Sequence, residues 1–332
     1  MPGLELFKDH CTQAAPRERP CCTRPHQSGA DDRHVINGVL CLFRGHVPTL
    51  KGVGGVAYSR RVDLSEEFSW NGRRVRWGSA GDGPPVVFCH GTPWSSALWA
   101  PFAEALAGEF RVYLWDMPGY GQSSKDAEHR VSLDIQGELL ADLLVHWNLD
   151  EPHVVAHDYG GAVSLRAHLL HGARYSSLAL VDVVALAPWG SEFFRLVRDH
   201  AEVFAALPPV IHDGALRAYI EGASHRGLGA AELDMLVQPW RGTAGQPAFY
   251  RQIAQADQAY TDEIEPLYPS VDLPVLVAWG TEDTWIPVDR AHRLSELIPG
   301  ARLELIEGAG HLIQLDAPVA LSTSLHRWLT SR

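Results

Sequence analysis

The run Val154–Val163 constrains this chain more than any other stretch, because an apolar, β-branched segment ends there abruptly at Asp158. Two glycines follow Tyr159, and apolar residues then recur at helical spacing. The run therefore predicts a strand, a sharp turn and a helix. Ala156 and Gly160 lie two positions on either side of Asp158, and a tight turn needs such small residues because larger side chains would collide with the folded-back backbone.

This pattern is typical of a nucleophile elbow, a strained turn that exposes one reactive side chain at the end of a buried strand. A serine usually occupies that position, and here it is Asp158. Asp is also a favoured N-cap residue, so the competing interpretation is that Asp158 only caps the helix. The residues that follow the other predicted strands favour the elbow.

The composition bears on the class of partner. The chain has 332 residues, 46% of them hydrophobic, which is ample for a packed core, and its formal net charge is −12. Such acidity argues against nucleic acid and anionic membranes as partners. No apolar run reaches the roughly 18 residues of a membrane span. We therefore expect a small-molecule substrate, and we leave a homodimer open.

The cysteines and the N-terminus favour the cytoplasm. The five cysteines are an odd count, which we interpret as free thiols in a reducing compartment. The first residues lack the apolar centre of a signal peptide. Cys21, Cys22 and His26 match no standard zinc-ligand spacing, and no dinucleotide-binding glycine pattern follows a strand. We expect neither a metal nor an organic cofactor.

Three regions of the chain differ in pattern. Residues 1–55 are rich in Pro, Arg and Gly and predict a poorly ordered extension. In residues 56–184 and 270–332, short apolar strands alternate with helices, whereas residues 185–269 carry helical patterns only. We expect an α/β core with a mostly parallel sheet and helices on both faces, interrupted by a helical cap. The site should lie at the carboxyl ends of the strands.

Two further polar residues follow predicted strands. Asp283 lies in the segment Gly280–Pro287, and His311 lies in Gly308–Leu312 after the last strand. Each residue alone would pass for an ordinary loop residue. Together with Asp158 they give the order nucleophile, acid, base that is known for hydrolases of this layout. We expect His311 to act as the base, with Asp283 orienting its imidazole.

The segment His90–Pro93 predicts an oxyanion hole. Gly91 lets the chain bend, so that the backbone N–H of Thr92 can point into the site. The N–H of Tyr159, at the start of the elbow helix, is its expected partner, and the helix N-terminus reinforces it. We interpret His90 as a structural hydrogen-bonding residue rather than a second base.

These motifs carry a family resemblance. With its HGTP, HDYGG, GTEDTWIP and GAGH segments, the chain resembles the α/β-hydrolase superfamily over about residues 62–330. Within that superfamily it looks like the branch that contains epoxide hydrolases and haloalkane or haloacetate dehalogenases. The resemblance implies a hydrolase that forms a covalent alkyl-enzyme ester at Asp158, which water activated by His311 then hydrolyses.

A carboxylate nucleophile restricts the substrate. Attack by Asp158 on an acyl group would give an anhydride, a poor intermediate, whereas attack on a saturated, polarised carbon gives an ester that water can clear. The leaving group must then be a strained ether oxygen or a halide. We favour an epoxide, with a dehalogenase as the alternative and a non-catalytic ligand-binding protein of this fold as a third hypothesis.

Residues of the cap should stabilise the leaving group. The segment Phe249–Arg251 resembles the aromatic-Tyr-Arg segment of epoxide hydrolases, which makes Tyr250 the candidate proton donor. Either Tyr219 or Tyr260 could be the second cap tyrosine, and no motif decides between them. Trp94 is a further candidate for substrate binding.

The dehalogenase alternative depends on other residues. Haloalkane dehalogenases resembling this chain carry Trp directly after the nucleophile, where this chain has Tyr159. Haloacetate dehalogenases instead use cap His, Trp and Tyr residues, for which His200 and Trp189 are candidates. The arginines that grip the substrate carboxylate in that family have no clear match here.

Overall fold

The computed structural model describes residues 62–331 of the chain. The extension expected at residues 1–55, the zinc-ligand spacing considered near Cys21 and all cysteines except Cys89 lie outside the described residues. Cys89 is a free thiol buried in the core, as expected.

One sheet of eight strands organises the described residues. Its strand order is β1-β2-β4-β3-β5-β6-β7-β8, in which β2 is antiparallel to its neighbours β1 and β4 and every other pairing is parallel. The predicted α/β class with a mostly parallel sheet is confirmed. The strands are β1 Glu66–Trp70, β2 Arg73–Ala80, β3 Pro85–Cys89, β4 Arg111–Trp115, β5 His153–Asp158, β6 Ser177–Val183, β7 Val275–Gly280 and β8 Arg302–Ile306.

Local sequence explains the strands. Asn71 and Gly72 both have positive φ angles, the conformation that a two-residue hairpin turn needs, and they join β1 to β2. Every residue of β5, β6 and β7 is buried, because helices cover both faces of the sheet. Two clusters of buried apolar residues form the core, one on each face.

Helices fill the connections between the parallel strands. Six of them, α4–α9, lie between β6 and β7, where the sequence predicts a helical cap. The helices are α1 Ala100–Leu106, α2 Leu133–His146, α3 Tyr159–His171, α4 Glu192–Asp199, α5 Ala201–Ala205, α6 Pro209–Glu221, α7 Ala230–Val237, α8 Gly242–Ala254, α9 Ala259–Asp262, α10 Asp289–Leu297, α11 Ile313–Asp316 and α12 Pro318–Thr330. Within residues 62–331, no helix is long and apolar enough to cross a bilayer.

The helices between β6 and β7 differ from the sequence expectation in two places. The periodicity predicts one helix over residues 191–204, but the chain breaks at His200 into α4 and α5. A second helix, predicted to start at Pro247, starts at Gly242 instead and continues through the proline. Tertiary contacts outweigh the local signal there, because the Gln246 side chain of α8 donates to the carbonyls of Ala205 and Leu207.

Specific hydrogen bonds join this helical segment to the strand ends below it. The indole N–H of Trp240 donates to the Pro93 carbonyl at 2.7 Å. The Thr92 hydroxyl donates to Oε1 of Gln252 on α8, also at 2.7 Å. Both partners belong to the segment after β3, so the helical segment is anchored directly above the predicted oxyanion hole.

The packing of α2 against the sheet generates a stability prediction. Leu140 is fully buried, whereas Val145 on the same helix is 78% exposed. We expect Leu140→Ala to lower the free energy of unfolding by about 2–5 kcal/mol, because it leaves a cavity. Val145→Ala is the matched control and should change that free energy by no more than about 0.5 kcal/mol. Urea denaturation measures both, and equal losses would contradict this packing.

Candidate active site

Asp158 lies on a strained turn between β5 and α3. Its φ and ψ angles of 50° and −120° are rarely adopted by residues other than glycine. The neighbouring glycines make this turn sterically feasible. A Cβ atom on Gly160 would lie 2.5 Å from the Cys89 carbonyl oxygen, and one on Gly91 would lie 2.3 Å from Oδ1 of Asp158. The chain thus has the local geometry of an elbow, with a buried carboxylate at its tip.

The backbone after β3 holds one oxygen of that carboxylate. The N–H of Thr92 donates to Oδ1 of Asp158 at 2.6 Å. Tyr159 is the first residue of α3, so its N–H belongs to the first helical turn, where amide groups have no intrahelical acceptor. The Gln252 side chain supports the Thr92 side chain and also accepts from the Tyr120 hydroxyl at 2.9 Å.

His311 lies between two carboxylates. Its Nδ1 donates to Oδ2 of Asp283 at 2.8 Å, and its Nε2 lies 3.3 Å from Oδ2 of Asp158. That second contact has the distance of an ion pair, but Nε2 has no aligned hydrogen bond to any described residue. Asp283 is itself fixed by the N–H groups of Trp285 and Ile286, which donate to its Oδ1 at 2.8 and 2.9 Å. The structure therefore brings together the three residues that the sequence predicts.

The two carboxylates set the protonation of His311. Burial alone would lower the pKa of this imidazole, but the charges of Asp283 and Asp158 outweigh it and raise the pKa well above its usual value. The ring also stacks on Trp285, with centroids 5.1 Å apart. In the free protein the two neighbouring carboxylates therefore favour the protonated form of the His311 ring.

Two other histidines near the site are structural. Burial lowers the pKa of His157 to about 3, so the ring is neutral, and its Nε2 donates to the His311 carbonyl oxygen at 2.9 Å. Nε2 of His90 accepts from the Met117 N–H at 3.0 Å, and burial also lowers the pKa of His90. This matches the interpretation of His90 as a hydrogen-bonding residue rather than a second base.

A cavity of about 420 Å³ opens at Asp158. This volume is in the range of small-molecule sites. Five aromatic residues line it, and Asp158 and Thr92 are among its polar groups. The aromatic lining residues are Tyr159, Trp189, Phe194, Tyr219 and Trp285.

Two of the residues that line this cavity are tyrosines, Tyr159 and Tyr219. Burial raises the pKa of Tyr219 well above its usual value, and the nearby charge of Asp158 raises it further. The Tyr159 hydroxyl is buried and has no hydrogen-bond partner among the described residues. Burial also raises the pKa of Tyr159, so both hydroxyls keep their protons and can donate them.

The structure places Tyr250 away from the cavity. Its hydroxyl donates to Nδ1 of His212 at 2.9 Å, while Nε2 of His212 donates to the Trp240 carbonyl. This hydrogen-bond chain lies among the helices between β6 and β7. Tyr250, the expected proton donor, is not among the residues that line the cavity at Asp158, whereas Tyr219 is. Tyr250 lies on α8 and His212 on α6, so the Tyr250 hydroxyl is directed toward α6.

Of the other residues predicted to bind the substrate or assist the leaving group, only some line the cavity. Trp189 lines the cavity, although its indole N–H donates to the Thr261 hydroxyl at 2.8 Å. His200 is exposed at the break between α4 and α5 and is not among the residues that line the cavity. Trp94 is buried behind Trp285, with ring centroids 5.7 Å apart, so it supports the wall rather than forming it. Tyr260 lies under the guanidinium of Arg166.

One buried carboxylate near the site, Asp182, belongs to none of the sequence motifs. Asp182 lies at a β-bulge in β6. His157 of β5 pairs with Val181 and Asp158 pairs with Val183, so Asp182 has no pairing partner in β5. Its Oδ1 accepts from the Gly280 N–H at 2.8 Å, so it holds the start of the segment that carries Asp283. Burial, followed by the charge of Asp283, raises the pKa of Asp182 well above its usual value. Its place at a strand end was the signal that could have revealed it.

Comparison with known proteins agrees with this architecture. The family described as alpha/beta hydrolase fold matches residues 84–318. A crystal structure of an alpha/beta hydrolase fold protein from Burkholderia ambifaria is 44% identical, with a TM-score of 0.77, and covers 80% of this chain and 98% of that one.

Two sequence relatives are more distant. An uncharacterised protein of Mycobacterium tuberculosis is 28% identical over 276 residues, which is 78% of this chain and 79% of the relative. Haloalkane dehalogenase 2 of Mycobacterium bovis is 25% identical over 265 residues, which is 76% of this chain and 90% of the relative.

The charges around His311 generate a prediction. Asp158→Asn removes one of the two negative charges that stabilise the imidazolium, so the pKa of His311 should fall below its wild-type value. NMR titration of ¹⁵N-labelled histidines measures this change. The wild-type protein, titrated under the same conditions, is the reference. A pKa of His311 that is unchanged or higher in the variant would contradict the proposed geometry.

Proposed function

The chain belongs to the alpha/beta hydrolase fold family, and we propose that within this family it hydrolyses a polarised saturated carbon, most simply an epoxide, through an ester at Asp158. The observation that carries this proposal is the buried Asp158, held by Thr92 and 3.3 Å from His311. We further propose that residues 185–269 act as the cap of this site and that the substrate is a small molecule.

The two oxygens of Asp158 have different surroundings, and this difference supports an order of events. Oδ1 is bound by the Thr92 N–H, so we assign the nucleophilic attack to Oδ2. Oδ1 then becomes the carbonyl oxygen of the ester. When water adds to that carbonyl, negative charge develops on Oδ1, where the N–H groups of Thr92 and Tyr159 stabilise it.

The change in charge on Asp158 prepares the second step. In the free protein both carboxylates raise the pKa of His311. Once Asp158 is alkylated it is neutral, so the proton affinity of the imidazole falls. The ring can then pass its Nε2 proton to the alkoxide of the opened ring, through the tyrosine that protonates it, and the neutral imidazole of His311 can take a proton from water. Asp283 continues to orient the ring. General-base assistance of this kind contributes about 10²–10⁴ in rate.

The hydroxyls in the cavity favour an epoxide over a halide. Opening an epoxide ring gives an alkoxide, which needs a proton, and both Tyr219 and Tyr159 offer a protonated hydroxyl beside Asp158. We assign the main proton-donor role to Tyr219. A halide leaving group would instead need N–H donors, and the indole N–H of Trp189 is already bonded to Thr261.

A dehalogenase is the second candidate function. It is favoured by the likeness to a haloalkane dehalogenase of Mycobacterium bovis, and the covalent mechanism at Asp158 would be the same. Release of halide without formation of a diol, when organohalides are tested beside epoxides, would reverse the order of the two candidates. A binding protein without catalysis would use neither class of substrate.

Trapping the ester tests the chemistry directly. His311→Gln retains the nucleophile but lacks the base, so hydrolysis of the ester should slow by about 10²–10⁴-fold and the adduct should accumulate. Intact-mass spectrometry after incubation with styrene oxide should show one added substrate mass on His311→Gln. The double variant Asp158→Asn/His311→Gln is the matched control and should show none. An adduct on that control, or no adduct with any epoxide or organohalide, would contradict the proposal.

A matched pair of variants tests the assignment of Tyr219 as the proton donor. Tyr219→Phe removes a hydroxyl beside Asp158, so kcat/KM for an epoxide should fall by about 10²-fold. Tyr250→Phe removes a hydroxyl that is bonded to His212 within the cap, and kcat/KM should change by less than about threefold. The steady-state rate of diol formation measures both variants, and a larger loss for Tyr250→Phe would return the donor role to that residue.

A further inference from the structure

Two arginines of α4 lie beside the mouth of the site. Arg195 and Arg198 are one helical turn apart and therefore share a face of the helix. Both line an outer pocket of about 340 Å³, and Arg195 also lines the cavity that contains Asp158. The two pockets share Trp189, Gly190, Phe194 and Arg195, so they adjoin at these residues.

These two arginines differ from the other arginines of the cap. Residues 185–269 contain six arginines. Arg217 and Arg241 each pair with Asp213 and Asp234. Arg226 pairs with Glu232, and Arg251 donates to the Lys125 carbonyl. By contrast, the side chains of Arg195 and Arg198 form neither an ion pair nor a hydrogen bond with any described residue.

The charged residues that line the outer pocket give it a net positive charge, although the protein as a whole is acidic. Its one acidic lining residue is Asp257, whose Oδ1 already accepts from the Ala259 N–H at 2.9 Å. The whole chain has a formal net charge of −12, which repels anions at long range. Neither arginine forms an ion pair with a described carboxylate, so both guanidinium groups can bind an anionic ligand in this pocket.

We propose that the substrate is amphiphilic, with an apolar body in the aromatic cavity and an anionic group, of which a carboxylate is the simplest, bound by Arg195 and Arg198. This inference rests on the proposed function only for the position of the reactive carbon at Asp158. The planar guanidinium groups can bind a carboxylate through paired hydrogen bonds. The two arginines then select substrates in which the reactive carbon and the anionic group are separated by the length of the cavity.

Matched substrates test this specificity. Terminal epoxyalkanoates of increasing chain length are compared with the corresponding primary amides, which differ only in charge at the far end. For the best chain length, kcat/KM of the carboxylate should exceed that of the amide by about tenfold or more, the usual effect of a charge-assisted hydrogen bond. The ratio should decrease as salt is added, because the arginines are exposed.

Substitution of the arginines supplies the decisive comparison. In Arg195→Gln/Arg198→Gln the ratio of carboxylate to amide should fall to about one. Arg174→Gln is a control that removes a positive charge from an exposed arginine paired with Glu151, away from both pockets, and it should leave the ratio unchanged. A ratio that is the same in the wild type and the double variant would overturn the inference.

A binding measurement separates this inference from the chemistry. Calorimetry with octanoate and octanamide needs no turnover, and octanoate should bind the wild-type chain more tightly than the double variant does, with octanamide unaffected. If octanoate binding depends on the arginines but no epoxide or organohalide reacts, the proposed reaction fails and the anion site stands. If epoxides react but neither kinetics nor binding depends on the arginines, the anion site fails and the proposed reaction stands.

Discussion

The structure depends on one buried arrangement of charge, an imidazole held between two carboxylates. Asp158, Asp283 and His311 are all buried, and charges in such surroundings are costly unless they are paired and hydrogen-bonded. The backbone meets this requirement, since N–H groups of Thr92, Trp285 and Ile286 bind the carboxylates. Loss of one partner from such a set commonly costs about 3–5 kcal/mol. The same pairing makes the basicity of His311 depend on whether Asp158 is charged.

The scaffold around this arrangement explains why it can persist. Asp158 is the last residue of β5, and Asp283 and His311 follow β7 and β8; the carboxyl ends of these parallel strands lie at one edge of the sheet. Asp158 is held in a strained conformation, which survives because the buried strand and helix on either side of it over-determine its position. Gly91 approaches the carboxylate so closely that no side chain fits there. Stability of the core therefore supports a locally unfavourable geometry at the site.

Much of the core could be predicted from the sequence, because its signals are local. Continuous apolar runs predict buried parallel strands, and small residues around Asp158 predict the elbow, so the relative placement of Asp158, Asp283 and His311 follows from chain order alone. The cap offered weaker signals. Tyr219 and Tyr250 both lie on amphipathic helices, and only the packing of α8 against α6 decides which hydroxyl faces Asp158. Asp182 is visible at the end of an apolar run, but its contacts depend on an irregular pairing of β5 with β6, a long-range feature that the local sequence does not predict.

The most direct test of the account is the origin of the oxygen in the product. A single turnover of styrene oxide, with the protein in excess, is run in water enriched in oxygen-18. If Asp158 is the nucleophile, the diol carries the unlabelled oxygen of its carboxylate, and mass spectrometry finds the label in the peptide that contains Asp158. A labelled diol together with an unlabelled peptide would mean that water attacks the substrate directly, which would contradict the account.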